Sequence, residues 1–186
     1  MQIRTASPED ADKLLEIYRP HIENSTTSFE YEVPSVQDFQ QRIQAILPNY
    51  PYLVSIENDH ILGYAYAHPY GERKAYQWSS EVSVYIGKDA QGKGVGRRLY
   101  ETIEDILKQQ NVVNVTACVT SENENSIAFH QHMGYEITAK FDDIGFKNGK
   151  WIGTYWLKKV IGRQAATQAE KPQQEPAPFI PFSKLI

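Results

Sequence analysis

A chain of 186 residues, 41% hydrophobic and 23% charged, has the balance of one globular domain large enough to bury a core. Its net charge of −4 offers no basic face of the kind that nucleic-acid binders present to phosphates, and no stretch reaches membrane-spanning length. A single cysteine, Cys118, forbids an intrachain disulfide, and the first residues carry no apolar leader, so a cytoplasmic protein is expected.

Residues 1–5 read as a short strand. Ser7-Pro8-Glu9-Asp10 then supplies an N-cap, a proline at the first helical position and acids in the first turn. The helix that follows places Leu14, Leu15, Ile17, Tyr18 and Ile22 at three- and four-residue spacing. A second helix is capped by Ser35, with Asp38 three residues on, and Pro48 stops it near residue 47. Segment 24–34, between the two, has no clean period and is either a substrate-facing loop or a plain connector.

Strands at 52–56 and 61–68 are joined by the turn Asn58-Asp59-His60, and 78–86 is the next strand. Helix 94–110 buries Val95, Leu99, Ile103, Ile106 and Leu107 and is expected to turn Glu101, Glu104, Asp105 and Lys108 to water. An apolar strand at 112–120 suits a sheet interior. Helix 125–133 ends on Gly134 as a left-handed residue, and strands 135–141 and 150–160 close through Asn148-Gly149. The order β-α-α-β-β-β-α-β-α-β-β predicts an α/β domain over 1–160, a mixed central sheet with helices on both faces. From 161 to 186 a Pro- and Gln-rich tail follows. Its apolar end, Phe179 to Ile186, docks on its own domain or on a second subunit, or it frays.

The informative window is 78–100. A strand carrying one carboxylate, Glu81, runs through a polar loop into Gln91-Gly92-Lys93-Gly94-Val95-Gly96-Arg97, where helical spacing begins. Such a turn points several backbone N–H groups at one spot, the helix dipole adds positive charge, and glycine admits a bulky phosphate. Lys93, Arg97 and Arg98 add three cations, with no acid between Asp89 and Glu101. The expected guest is a pyrophosphate; an ordinary tight turn is the plainer reading. The glycine spacing is neither a Walker A loop nor the Rossmann fingerprint.

Gln91, Gly94 and Gly96 after a strand resemble the acyl-CoA pyrophosphate loop of the GCN5-related N-acetyltransferase superfamily. A second resemblance lies in Asn123 to Tyr135, where Asn-x-x-Ser-Ile opens a helix that ends in a Gly-aromatic pair. A closer likeness, to the phosphinothricin and methionine sulfoximine acetyltransferase branch, covers nearly the whole chain. Its most specific parts are the Tyr76-x-Trp78-x-x-Glu81 run and Phe146-Lys147-x-Gly149-x-Trp151. The resemblance implies the acyl-CoA N-acyltransferase fold, acetyl-CoA as co-substrate, and N-acetylation, with a detoxifying outcome, of a small amino acid bearing a polar or anionic head. It also implies a homodimer, cofactor contacts at Asn123 and Ser126, and a helix acid at His130 that reprotonates the departing thiolate. Its substrate-side positions are Phe29, Arg73, Tyr76, Gln77 and Trp78.

Read as chemistry, Glu81 takes the proton of an amine directly or through one water. Backbone N–H groups at Val84, Tyr85 and Ile86 hold the cofactor and polarise its carbonyl, beside Gln91, Gly92, Lys93, Gly94, Val95, Gly96 and Arg97 in the loop. The five histidines lack a ligand cluster, so no metal is expected. Duller readings stand beside each: Glu81 as a surface carboxylate, His130 as a core histidine, Tyr76 and Trp78 as packing, Arg73 as solvated, Cys118 as core. Against transfer to a free amino acid stand two alternatives, a protein N-terminal acetyltransferase and an acyl-CoA-binding sensor without turnover.

Overall fold

The computed structural model describes residues 1–162 and 176–186. Its strands are β1 (Gln2–Thr5), β2 (Tyr52–Glu57), β3 (His60–Pro69), β4 (Ser79–Ile86), β5 (Asn114–Thr120), β6 (Glu136–Lys147) and β7 (Lys150–Val160). They form one seven-stranded sheet in the order β1-β2-β3-β4-β5-β7-β6. Every neighbouring pair is antiparallel except β4 and β5, which run parallel. A parallel neighbour needs a crossover, and α3 (Val95–Gln109) supplies it. The tight turns follow from local chemistry: Asn58 and Asp59 sit at φ 50° and 62°, Asn148 and Gly149 at 53° and 78°, the positive-φ pairs that two-residue hairpins require.

Both sheet faces are covered, as the period-2 alternation demands. Tyr52, Val54 and Tyr64 pack under α1 (Ala11–Glu23) and α2 (Val36–Ile46), in a core with Leu14, Leu15 and Ile43. Leu53, Ala65, Val82 and Val115 face the other way, against Leu99, Ile103 and Leu107 of α3. Each fully buried aliphatic side chain there contributes about 1.5–3 kcal/mol. The caps act as expected at α2, where Ser35 accepts from the Asp38 N–H. Gly134 closes α4 (Glu124–His132) at φ 88°.

Two expectations are corrected. Glu104 does not face water: it is 4% exposed and accepts from the Tyr135 hydroxyl at 3.0 Å and the Lys159 ammonium at 2.6 Å. β7 and the segment after α4 bring those two donors onto the helix stripe, and a buried carboxylate is tolerable when paired in this way. The strand expected to stop at residue 141 continues to Lys147, still paired with β7 but with its register shifted at Ile137/Ala139 and again at Phe141/Gly145.

The described end of the tail docks on its own chain. Phe182 is 2% exposed, and the Phe179 ring lies 5.2 Å from that of Tyr50. Ile180 and the fully buried Gln110 exchange hydrogen bonds: Ile180 N–H donates to the Gln110 carbonyl at 3.0 Å, and Gln110 Nε2 returns one at 2.8 Å. The expected Pro/Gln-rich stretch falls largely on residues 163–175, outside the described residues.

Candidate active site

The sheet opens between β4 and β5. β4 and β5 pair only from Ser79–Glu81 to Asn114–Thr116; beyond that rung the two parallel strands part. Val82–Ile86 and Ala117–Thr120 then face each other without ladder bonds, leaving backbone donors and acceptors along both lips. The gap opens into a cavity of about 610 Å³, the size of small-molecule sites in general.

At one end lies the glycine-rich turn. Gly92 and Gly94 adopt φ 73° and 77°, which only glycine adopts without strain. A side chain built on either would meet nothing within 4 Å, so the space above this backbone is open. Gly94 is the N-cap of α3, and Asn123 caps α4, its Oδ1 accepting from Ser126 N–H at 3.2 Å. Val95, Gly96 and Asn125 line the cavity beside them, so two helix N-termini, each with unpaired N–H groups and partial positive charge, meet one volume. Such an arrangement suits an anion. Val84, Tyr85, Ile86, Gln91, Arg97 and Ser126 line it too, whereas Lys93 does not. Arg97 is not a free cation, since its Nε holds Glu101 at 2.8 Å.

Glu81 stands at the last paired rung, opposite Thr116, where the gap begins. Alternation puts it on the α1/α2 face with Tyr85, while its neighbour Val82 lines the cavity and packs toward α3. Burial pushes its carboxyl above the usual range, and His68, with Nε2 4.0 Å away, pulls it part of the way back. Cys118 also lines the cavity. Burial, then the Glu81 charge, push its thiol up to about 11, so it stays protonated at neutral pH.

His130 and Tyr100 form the opposite wall. His130 is 3% exposed; its Nδ1 lies 2.7 Å from the Ser126 carbonyl and its Nε2 2.6 Å from the Tyr100 hydroxyl. A carbonyl only accepts, so Nδ1 carries the hydrogen, and burial lowers the imidazole pKa, keeping the ring neutral. Nε2 therefore accepts from Tyr100. The proton shared by the pair sits on the Tyr100 hydroxyl, engaged with Nε2, and His130 holds none of its own toward the cavity. Tyr100 also lines the cavity; the helix pattern gave it no role because position 100 adjoins the apolar stripe.

The substrate-side residues are not brought into the cavity wall. Arg73 is exposed, at the start of a one-turn helix spanning Lys74–Tyr76. Tyr76, 40% exposed, packs on Gly71 and edge-on against Tyr70 at 5.4 Å. Gln77 is partly exposed beside it. Trp78 donates its indole N–H to the Ala177 carbonyl of the tail at 2.8 Å. Phe29 lies over Gly145 so closely that a Cβ there would collide with its ring. His21 and Thr27, which sequence reading did not single out, do reach the cavity. Both come from the end of α1 and the aperiodic loop after it, where no spacing marks a site residue.

Comparison with known proteins gives the family. A family model described as an acetyltransferase (GNAT) domain matches residues 3–156. A phosphinothricin N-acetyltransferase of Alcaligenes faecalis is 34% identical over 173 residues, covering 90% of this chain and 86% of the relative. An L-methionine sulfoximine/L-methionine sulfone acetyltransferase of Salmonella typhimurium is 28% identical, covering 91% and 99%. The crystal structure of a GNAT superfamily phosphinothricin acetyltransferase from Sinorhizobium meliloti, in complex with AcCoA, superposes with a TM-score of 0.85 at 29% identity, covering 97% of each chain.

Proposed function

Because the chain belongs to the GNAT acetyltransferase family, we propose that it moves an acetyl group from acetyl-CoA to the α-amine of a small amino acid of the phosphinothricin or methionine sulfoximine type. One observation carries the reading: the parted strands β4 and β5 set a partly buried carboxylate of raised pKa at their fork and, beyond it, line a cavity that ends at an N–H-rich turn. The substrate class rests on the names of the relatives.

Acetyl-CoA supplies an acyl group activated as a thioester. Its pyrophosphate suits the N–H groups of the Gln91–Arg97 turn, and its extended arm suits the open lips of β4 and β5. An α-amine has a pKa of about 8, so freeing its lone pair at neutral pH costs about 1.4 kcal/mol. Glu81 takes that proton, and its raised pKa brings it closer to the amine it serves. Lip N–H groups of Val84 to Ile86 meet the oxygen that gains charge on attack. Tyr100, whose O–H rests on His130 Nε2, swings that O–H from the imidazole to the departing sulfur. Cys118 keeps its proton, which favours direct transfer over an acyl-enzyme. Arg73, exposed on the loop that leads to Glu81, offers a fork for the acceptor's anionic head.

We further propose that the working form is a homodimer joined along β6. That edge strand leaves Ile137, Phe141, Ile144 and Phe146 exposed, and Trp151 beside them is 61% exposed, an apolar surface of the kind that pairs with a partner.

Thiol release from acetyl-CoA with phosphinothricin, methionine sulfoximine and a peptide amine tests the reading. Turnover of the free amino acids supports it; turnover of the peptide alone overturns it, as does tight CoA binding with no turnover of any amine.

A further inference from the structure

Lys147 precedes the Asn148-Gly149 turn, a place where a lysine ordinarily reaches into water. Here it is 3% exposed, and its ammonium donates to the Ile22 and Ser28 carbonyls, each at 2.7 Å. Ile22 belongs to the last turn of α1, whose carbonyls lack helical partners and carry partial negative charge, so a cation suits it. Ser28 lies in the loop that follows; its hydroxyl meets that of Tyr18 at 2.7 Å. A buried ammonium held by two backbone carbonyls, one on each side of a short loop, ties that loop into a fixed bend.

The same loop is fastened to the same region by other contacts. Tyr31 donates to the Phe146 carbonyl, Phe29 covers Gly145, and Thr26 donates to Glu122 at 2.8 Å. His21 and Thr27 each immediately precede one of the two bridged residues, and both line the cavity. His21 packs against Tyr85, ring centroids 5.2 Å apart, on the sheet face that also bears Glu81.

We infer that Lys147 is a positioning residue: through the Ile22 and Ser28 carbonyls it latches loop 24–34 beside the cavity, setting His21 and Thr27 as the wall that orients the acceptor amine. Its bearing on the acceptor rests on the proposed acetyl transfer; the latch itself does not. No contact with either substrate is required of Lys147. Its effect passes through backbone that it holds in place.

Lys147→Met keeps the length and removes the donors. Amide exchange at residues 24–31 should quicken by about tenfold or more. The acceptor KM should rise by about tenfold, since small misplacements near a reacting group are amplified, while the KM for acetyl-CoA stays within about twofold. Lys147→Arg, which keeps a cation and N–H donors, should restore part of both. Unchanged exchange overturns the latch, and faster exchange with an unaltered acceptor KM overturns the positioning role. If the unmodified protein acetylates no amine, the proposed function fails, and the exchange rates still decide the latch. Should Lys147→Met not fold, Tyr31→Phe cuts the loop from Phe146 at an exposed side chain, and the same readouts decide in the same directions.

Discussion

The two ends of the cavity are built on different principles. Its anion end is made of backbone: two glycines at positive φ, two helix N-termini and the lips of two parted strands, all within 82–97 and 117–126. Its acceptor end depends on side chains gathered from afar: His21, Thr27 and Tyr85 in the wall, with Glu81 at the fork of β4 and β5 and Lys147 on the edge strand behind them. Backbone recognition depends on local conformation and so leaves a contiguous mark in the sequence. Side-chain recognition depends on which distant segments the fold brings together, and it can change without disturbing the cradle. Cofactor affinity and acceptor turnover should therefore separate under mutation.

The largest effect should come from the acceptor end. Glu81→Gln is expected to lower kcat by about 10²-fold, the lower range for loss of a general base, while calorimetric CoA affinity holds. The same change should raise the melting temperature at neutral pH. Burial raises the Glu81 pKa in the folded state, so above the unfolded value the native protein binds the proton more tightly than the unfolded chain, and ionisation costs stability. A loss of both activity and stability would assign Glu81 to the structure instead.

Next in size is the backbone end. Gly94→Val forces a β-branched residue to φ 77°, and the KM for acetyl-CoA should rise by at least about tenfold with the acceptor KM little changed. An equal rise in both would mean that the two ends are not separable. Tyr100→Phe, which removes the hydroxyl that His130 orients, should lower kcat by about tenfold with both KM values held. A change confined to KM would remove it from the chemistry. The smallest effect lies outside both ends: Trp78→Phe deletes the bond to Ala177 and should cost about 1 kcal/mol of stability in a denaturant titration with kcat unaltered. A fall in kcat instead would return Trp78 to the pocket wall.

The same contrast explains what the sequence disclosed. The β/α order, the two hairpin turns, the Ser35 cap and the Gln91–Arg97 turn were legible because each is a local pattern of spacing, cap or positive-φ residues. Glu81 was legible as a lone carboxylate in an apolar strand whose alternation sets it opposite Val82 and Val84. Tyr100 and Thr27 were not, because one looks like core and the other like loop until Val82, His130 and Asn123 are in place around them. Glu104 was read as a surface charge, and the burial of Lys147 left no mark, since the partners that make their burial tolerable lie 31 and 55 residues away for Glu104, and 125 and 119 for Lys147. The tail's docking also escaped any period, resting on Gln110, Tyr50 and Trp78 from three separate segments.

The account turns on a partly buried carboxylate at the fork of β4 and β5 accepting the amine's proton, and the pH dependence of kcat/KM tests this most directly. For the unaltered protein it should rise along a limb set by Glu81, with a midpoint above the ordinary carboxylate value because burial raises that pKa. In Glu81→Gln that limb should vanish, leaving only the titration of the amine. A profile that keeps the limb in Glu81→Gln, with CoA still bound, would contradict the account.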